Sequence, residues 1–233
     1  MRIWDLHPGY LNRQSLLGEH SELHALVRVV LGGRKGYANH PETIRWRDFL
    51  GALAVRHALL VAEMALRGYR HRSPLSIPPD ATAWPGYVER PARQLERLRE
   101  KYTGREPGRI PLPRDAQRIW AQHKYSVLAR DSAAYRVFGR WAAHAREPES
   151  LAAFADELTE LLRRPPSPGG VRNAVEHMWG YVSHRATADD RRRARGSPAA
   201  MLAVTQRLAM EHSETYLVHS TALSELAVWL GHP

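Results

Sequence analysis

Residues 40–68 read HPETIRWRDFLGALAVRHALLVAEMALRG, and this stretch decides the fold class. Pro41 follows His40 at a position where a first helical turn has no need of the missing N–H. From there Trp46, Phe49, Leu50, Leu53, Leu60, Val61 and Met64 recur with the 3.6-residue period until Gly68 supplies a stop. The spacing predicts one long helix. Upstream, Leu16, Leu17, Leu23, Leu26, Val27, Val30 and Leu31 repeat the pattern over residues 11–31, ended by Gly32 and Gly33. Downstream, apolar-periodic stretches fall at about residues 114–130, 133–145, 148–163, 171–184 and 199–230, Pro148 being placed to start the third and PPSPGG at 165–170 separating it from the fourth. Alternating patterns long enough for strands are absent from the sequence, so the expected class is all-α.

Proline divides the chain. Eight of the sixteen prolines lie between Pro74 and Pro113, where continuous helix is disfavoured. Residues 92–101 carry alternating charge with Leu95 and Leu98 spaced for a brief amphipathic helix. The expected organisation is a compact helical N-terminal domain over residues 1–75, a Pro-rich linker over 76–112, and a C-terminal helical bundle over 113–233.

The 233 residues include 34 Lys+Arg against 24 Asp+Glu, a formal net charge of +10, which favours polyanionic partners. Residues 1–75 hold eleven basic and six acidic side chains and are the most basic part per residue. With no cysteine, disulfides, thiolate catalysis and cysteine-ligated metal sites are excluded together. No apolar run approaches the ~18–20 residues a membrane span needs, and Asp5 and Pro8 interrupt the opening MRIWDLHPGY where a signal peptide would be apolar. A cytoplasmic protein without membrane partners is expected.

Thirteen histidines invite a metal reading, and His20 with His24 has the i, i+4 spacing that clamps an ion from one helix face. Both share a side of the helical wheel with Leu16, Leu23 and Val27, so they read as packed or hydrogen-bonded core residues, and no metal site is expected. HExxH, GxSxG, GxxxxGK[ST] and GxGxxG are all missing from the sequence, which weakens metalloprotease, serine hydrolase and nucleotide-phosphate readings. The basic run at 191–195 follows Thr187, Asp189 and Asp190, the pattern of a capped helix start, and reads as a solvated helical face.

MRIWDLHPGYLNRQSLLGEHSELHAL, then KGYANHPETIRW, then HALLVAEMALRGYRHRSPL resembles, in order and spacing, the pyrimidine-dimer DNA glycosylase family of the phage endonuclease V type. The resemblance covers residues 1 to about 75. It implies a DNA-repair enzyme that cuts the glycosidic bond at ultraviolet-induced pyrimidine dimers and cleaves the strand by β-elimination, as a glycosylase and abasic-site lyase. In that family the nucleophile is the N-terminal α-amine, which falls here on Met1; the bulk of Arg2 disfavours removal of the initiator methionine. An α-amine has an ordinary pKa of about 7.7–8.0 against about 10.4 for lysine, so an appreciable fraction is neutral near pH 7. Attack at the sugar C1′ gives an iminium, and a nearby carboxylate can offset that charge and relay the proton for elimination. Glu22 is the matching carboxylate, lying off the leucine stripe. Arg2 and Gln14 match positions near DNA, and Arg13, Lys35 and Arg45 are candidate phosphate partners. The sequence departs from the family where an arginine usually precedes the glutamate and a histidine stands seven positions before it: here these are Ser21 and Ser15. Their loss implies weakened activity, altered substrate, or a non-catalytic relative that binds damaged DNA or structured RNA.

The second half resembles the YbgA-type helical domain. Trp120, His123, Lys124, Tyr135 and Gly139 match its first block, and Asn173, His177, Gly180 and Tyr181 its second, while Arg130 stands where a histidine is common. Relatives occur beside photolyases or joined to enzymes acting on thiolated tRNA, which implies nucleic-acid handling, with damaged duplex DNA the first expected partner and tRNA the second. His123, Lys124 and His177 are the candidate functional residues here. On physical grounds the two histidines read as buried, hydrogen-bonded structural groups. None of the implied chemistry requires a cofactor.

Overall fold

The computed structural model describes residues 1–32, 36–145 and 149–230. Among these the regular elements are helices, twelve of them α-helical, with no strand, so the all-α expectation holds. An extended N-terminal segment buries Ile3, Trp4 and Leu6 and enters a 3-10 turn, Pro8–Tyr10. Then comes α1 (Arg13–Gly32), whose first turn is closed by Asn12: its side-chain oxygen accepts from the Ser15 amide at 2.9 Å.

The stretch at 40–68 is two helices, α2 (Pro41–Trp46) and α3 (Leu50–Leu66), where the periodicity predicts one. Phe49, at φ −127° and ψ 39°, leaves the helical track, and its amide donates to the Trp46 carbonyl at 3.0 Å. Trp46 and Leu53 are both buried and seven residues apart, so the apolar pattern stays in phase across the break and conceals it. The Pro-rich stretch contains α4 (Pro91–Lys101) as expected. Its remainder is packed: Ile110 donates to the Gly9 carbonyl at 2.9 Å, and the Trp84 indole donates to the Arg163 carbonyl at 3.0 Å.

Beyond it lie α5 (Ala116–Leu128), α6 (Ser132–His144), α7 (Glu149–Arg163), α8 (Pro168–Val182) and α9 (Ala188–Ala194). Asp115, Asp131 and Ser167 cap α5, α6 and α8, and Thr187 with Asp190 forms a capping box on α9. Pro148 lies outside the described residues. The stretch 199–230 is divided into α10 (Pro198–Glu211), α11 (Thr215–Val218) and α12 (Ala222–Trp229). Ser213 adopts a positive φ of 50°, and the Thr221 amide turns away to the Gln122 carbonyl of α5 at 2.9 Å. Neither break carries glycine or proline, so the sequence does not announce them.

The buried apolar side chains form two cores. The first joins Ile3, Leu16, Leu23, Leu53 and Leu60 to Leu95, Leu98, Ile119, Phe154 and Leu158, so α4, α5 and α7 share one core with the N-terminal segment and its helices. The second holds Tyr125, Leu128, Val175, Met178, Leu208, Leu223 and Leu226, from α5, α8, α10 and α12. Among the described residues no helix is long and apolar enough to cross a membrane.

Candidate active site and histidine cluster

The N-terminal segment is held from both sides by buried charge. On one side Glu19 of α1 accepts from the Trp4 amide at 3.1 Å and makes a bidentate pair with Arg56 of α3 at 2.7 and 2.8 Å, while Arg56 also donates to the Leu6 carbonyl at 2.7 Å. On the other side the Asp5 amide donates to Gln94 of α4 at 2.9 Å, and the Asp5 carboxylate pairs with Arg45 and with Arg163, the latter at 3.0 Å. Six extended residues therefore have almost no freedom, and the first residue is carried to a fixed place.

That place is beside Glu22. The Met1 nitrogen lies 3.9 Å from Glu22 Oε1, and the Arg2 amide donates to Glu22 Oε2 at 2.5 Å. The Met1 side chain is packed, while the Glu22 side chain is 42% exposed, so the amine and carboxylate meet at the edge of the core, open to solvent. Arg2 stacks over Trp4 at 4.7 Å and pairs with Glu89 at 3.0 Å. Partial burial acts to raise the Glu89 carboxyl, but hydrogen bonds from Arg97 and Arg2 outweigh it and hold the group below its usual range.

Arg13 and Gln14 are exposed, as is Ser21; Gln14, Ser21 and Arg28 follow one another at intervals of seven along α1 and share its exposed face. Lys35 lies outside the described residues. Arg45 is different from the expectation: its side chain is 6% exposed, donates to the Gly86 carbonyl at 2.8 Å, pairs with Asp5 and Glu42, and lies over Trp46. Its guanidinium is spent inside the protein, because the Gly86 and Ile3 carbonyls, two carboxylates and an aromatic face already surround it. Ser15 is buried, so its position does not line an open groove.

In the second half, His123 is buried, with Nδ1 2.9 Å from the Ile119 carbonyl, and burial lowers it to about 4. That matches a structural histidine. His177 is exposed on α8, contrary to the buried reading, because it faces away from the side of α8 that carries Val171, Val175 and Met178 into the core. Lys124 is held over the rings of Tyr125 and Tyr216 at 4.7 and 4.4 Å. Arg191, Arg192 and Arg193 are exposed, and two of them pair with Asp189, as a solvated helical face would.

His20 and His24 do not pack into the leucine core. They turn to His57 of α3 and to His71 in the segment after it, and one ring nitrogen from each of the four lies within 4.8 Å of the others. His24 Nε2 and His57 Nε2 are 3.2 Å apart. Burial, reinforced by the neighbouring rings, lowers His20 to about 4 and His57 to about 3. The i, i+4 pair was visible in the sequence; its two partners stand too far along the chain for spacing to connect them.

Fold and geometry together define an all-helical protein whose N-terminal amine is delivered to a helix carboxylate. Residues 1–77 match the pyrimidine dimer DNA glycosylase family, and residues 124–197 match a family described as protein of unknown function (DUF1722). The two matches coincide with the two segments whose resemblances the sequence carries. No curated protein and no solved structure matches the chain.

Proposed function

We propose that this protein is a DNA-repair glycosylase and abasic-site lyase acting on ultraviolet-damaged or abasic duplex DNA through a Schiff base at Met1. The observation that carries the reading is the 3.9 Å separation of the Met1 nitrogen from Glu22, at the end of a segment fixed by Glu19, Arg56 and Asp5. The neutral amine attacks C1′ and the damaged base departs, leaving an iminium joining Met1 to the opened sugar. Glu22 offsets the positive charge and accepts a proton from C2′; the electrons of that C–H bond expel the 3′ phosphate, and water then releases the enzyme. A duplex must be kinked to expose C1′, which costs least at an already damaged pair. Arg2, Arg13 and Gln14 are the phosphate-side groups of this reading, with Lys124 and the exposed His177 candidates for contacts from the second half.

A second reading, a binding protein for damaged DNA or structured RNA such as tRNA, is favoured by the exposed hydroxyl of Ser21 where the resembling family usually has a guanidinium. Borohydride trapping separates the two. Untagged protein with Met1 at its free terminus should form a covalent adduct with abasic duplex DNA. Glu22→Gln should bind equally but turn over about 100- to 10,000-fold more slowly, the range attributed to a positioned general base. An extra residue before Met1 should abolish the adduct, since an amide nitrogen has no available lone pair. Binding without an adduct by the untagged protein would leave the second reading.

A further inference from the structure

We propose that His20, His24, His57 and His71 form a structural site for a divalent transition-metal ion of the zinc type. The sequence pattern makes His20 and His24 look like ordinary core residues, and the proposed repair chemistry uses none of the four. The argument starts from the donors. Four imidazoles converge with their centroids 4.7 to 5.2 Å apart in five of the six pairings, which crowds their ring nitrogens together. The His24–His57 contact uses two of those nitrogens. His20 Nε2 and His71 Nε2 are buried atoms with no hydrogen-bond partner among the described residues. Buried polar atoms are normally paired, and two orphans in one cluster, on rings that already touch, call for a shared partner. A cation that accepts a lone pair from each nitrogen meets that need.

The donor set selects the ion. Oxygen-seeking magnesium and calcium find no oxygen ligand among four imidazoles, whereas zinc takes histidine nitrogen in tetrahedral sites. Zinc–nitrogen bonds of about 2.0–2.1 Å place tetrahedral donors about 3.3 Å apart. The His24–His57 separation of 3.2 Å already has that value, and the widest separation, 4.8 Å, closes by side-chain rotation about χ1 and χ2. With four protein ligands the coordination sphere is filled, which is the mark of a structural rather than a catalytic site.

The placement gives the ion work to do. Two ligands come from α1 and one from α3, while His71 belongs to the segment that leaves α3 and enters the Pro-rich stretch. That segment borders a cleft of about 750 Å³, lined by His57, His71, Leu75 and Ile77 on one side and by Gln206 and Met210 of α10 on the other. An ion held by all four would fasten the segment to α1 and α3 at the rim of the cleft.

The test uses untagged full-length protein, so that no affinity histidines contribute. After incubation with zinc and gel filtration, elemental analysis should find about one ion per chain, as a closed four-ligand site requires. Cobalt in place of zinc should give the intense visible bands of tetrahedral nitrogen coordination. His71→Ala, which lies outside any helix, and His24→Ala should each weaken zinc by more than the roughly 10- to 100-fold that loss of an outer-sphere partner costs. Circular dichroism identifies any variant that has lost its helices, and His71→Gln then replaces it. Wild-type protein that retains no zinc after gel filtration, or variants that retain as much as wild type, would overturn the site.

Discussion

Replacing Glu63 by glutamine keeps the shape of the side chain and removes its charge at a point where three parts of the chain meet. Glu63 of α3 is fully buried; it accepts from Arg109 of the Pro-rich stretch at 2.8 and 2.6 Å, from Arg67 at 2.7 Å and from Ser224 of α12 at 2.7 Å. Burial alone would raise this carboxyl, but the charges and hydrogen bonds of Arg109 and then Arg67 reverse the effect and bring it from the ordinary 4.5 down to about 2. At about 1.4 kcal/mol for each factor of ten, that difference amounts to about 3 kcal/mol of native-state stability. The sign follows from the direction. A lowered folded pKa stabilises above the unfolded value, so the contribution is complete above about pH 5 and is lost as pH falls through 4.5 toward 2. Glu63→Gln should therefore cost about 3 kcal/mol near neutral pH, within the roughly 3–5 kcal/mol expected when one partner of a buried pair is removed. The gap from wild type should close progressively as pH falls from about 5 to about 2. Urea unfolding followed by circular dichroism at a series of pH values measures both curves. A gap that stays constant through the acid range would show that the paired charge does not carry the stability, and the reasoning would fail.

Phe154 is fully buried and stacks on Trp141 with ring centroids 3.9 Å apart, so Phe154→Ala should cost about 3–5 kcal/mol in the same unfolding assay. Gly108 packs so closely that an added Cβ would lie 2.4 Å from the Tyr10 carbonyl oxygen, which is backbone and cannot step aside. Gly108→Ala should lose about 1–3 kcal/mol, and thermal melting should show it as a fall of roughly 2–4 °C per kcal/mol.

Helix existence and class were legible because α1 and α8 each bury one face, and a one-sided burial writes its period into the sequence. The breaks at Arg47–Phe49 and at Ser213 were not, because one preserves the apolar phase and the other turns on a backbone angle rather than on a marked residue. The pairing of Met1 with Glu22 came from resemblance, and the geometry brings the two together. What fixes them was hidden: Glu19 stands in a polar stretch beside His20 and Ser21 and Arg56 interrupts an apolar run, yet they satisfy one another in the interior. An isolated arginine within LAVRHALL is the one clue the chain offers to such a pair. Arg45 misled in the opposite direction, since a basic residue in a basic domain looks available until its acceptors are found. The four histidines show the same limit, for convergence across separate elements leaves no local spacing to read.

Helix α5 puts Ile119 and Val127 into one apolar core and Tyr125 and Leu128 into the other. A single rod threaded through both interiors should make their melting one event in a thermal scan, since neither can come apart without stripping side chains from that rod. The segment that matches the glycosylase family ends at residue 77, before α4, α5 and α7 have supplied their share of its core. Cut out at that point, it would expose Leu16, Leu53 and Leu60 to water. The segment that matches the family shares its interior with its neighbour, and change in either half is answerable to the packing of the other.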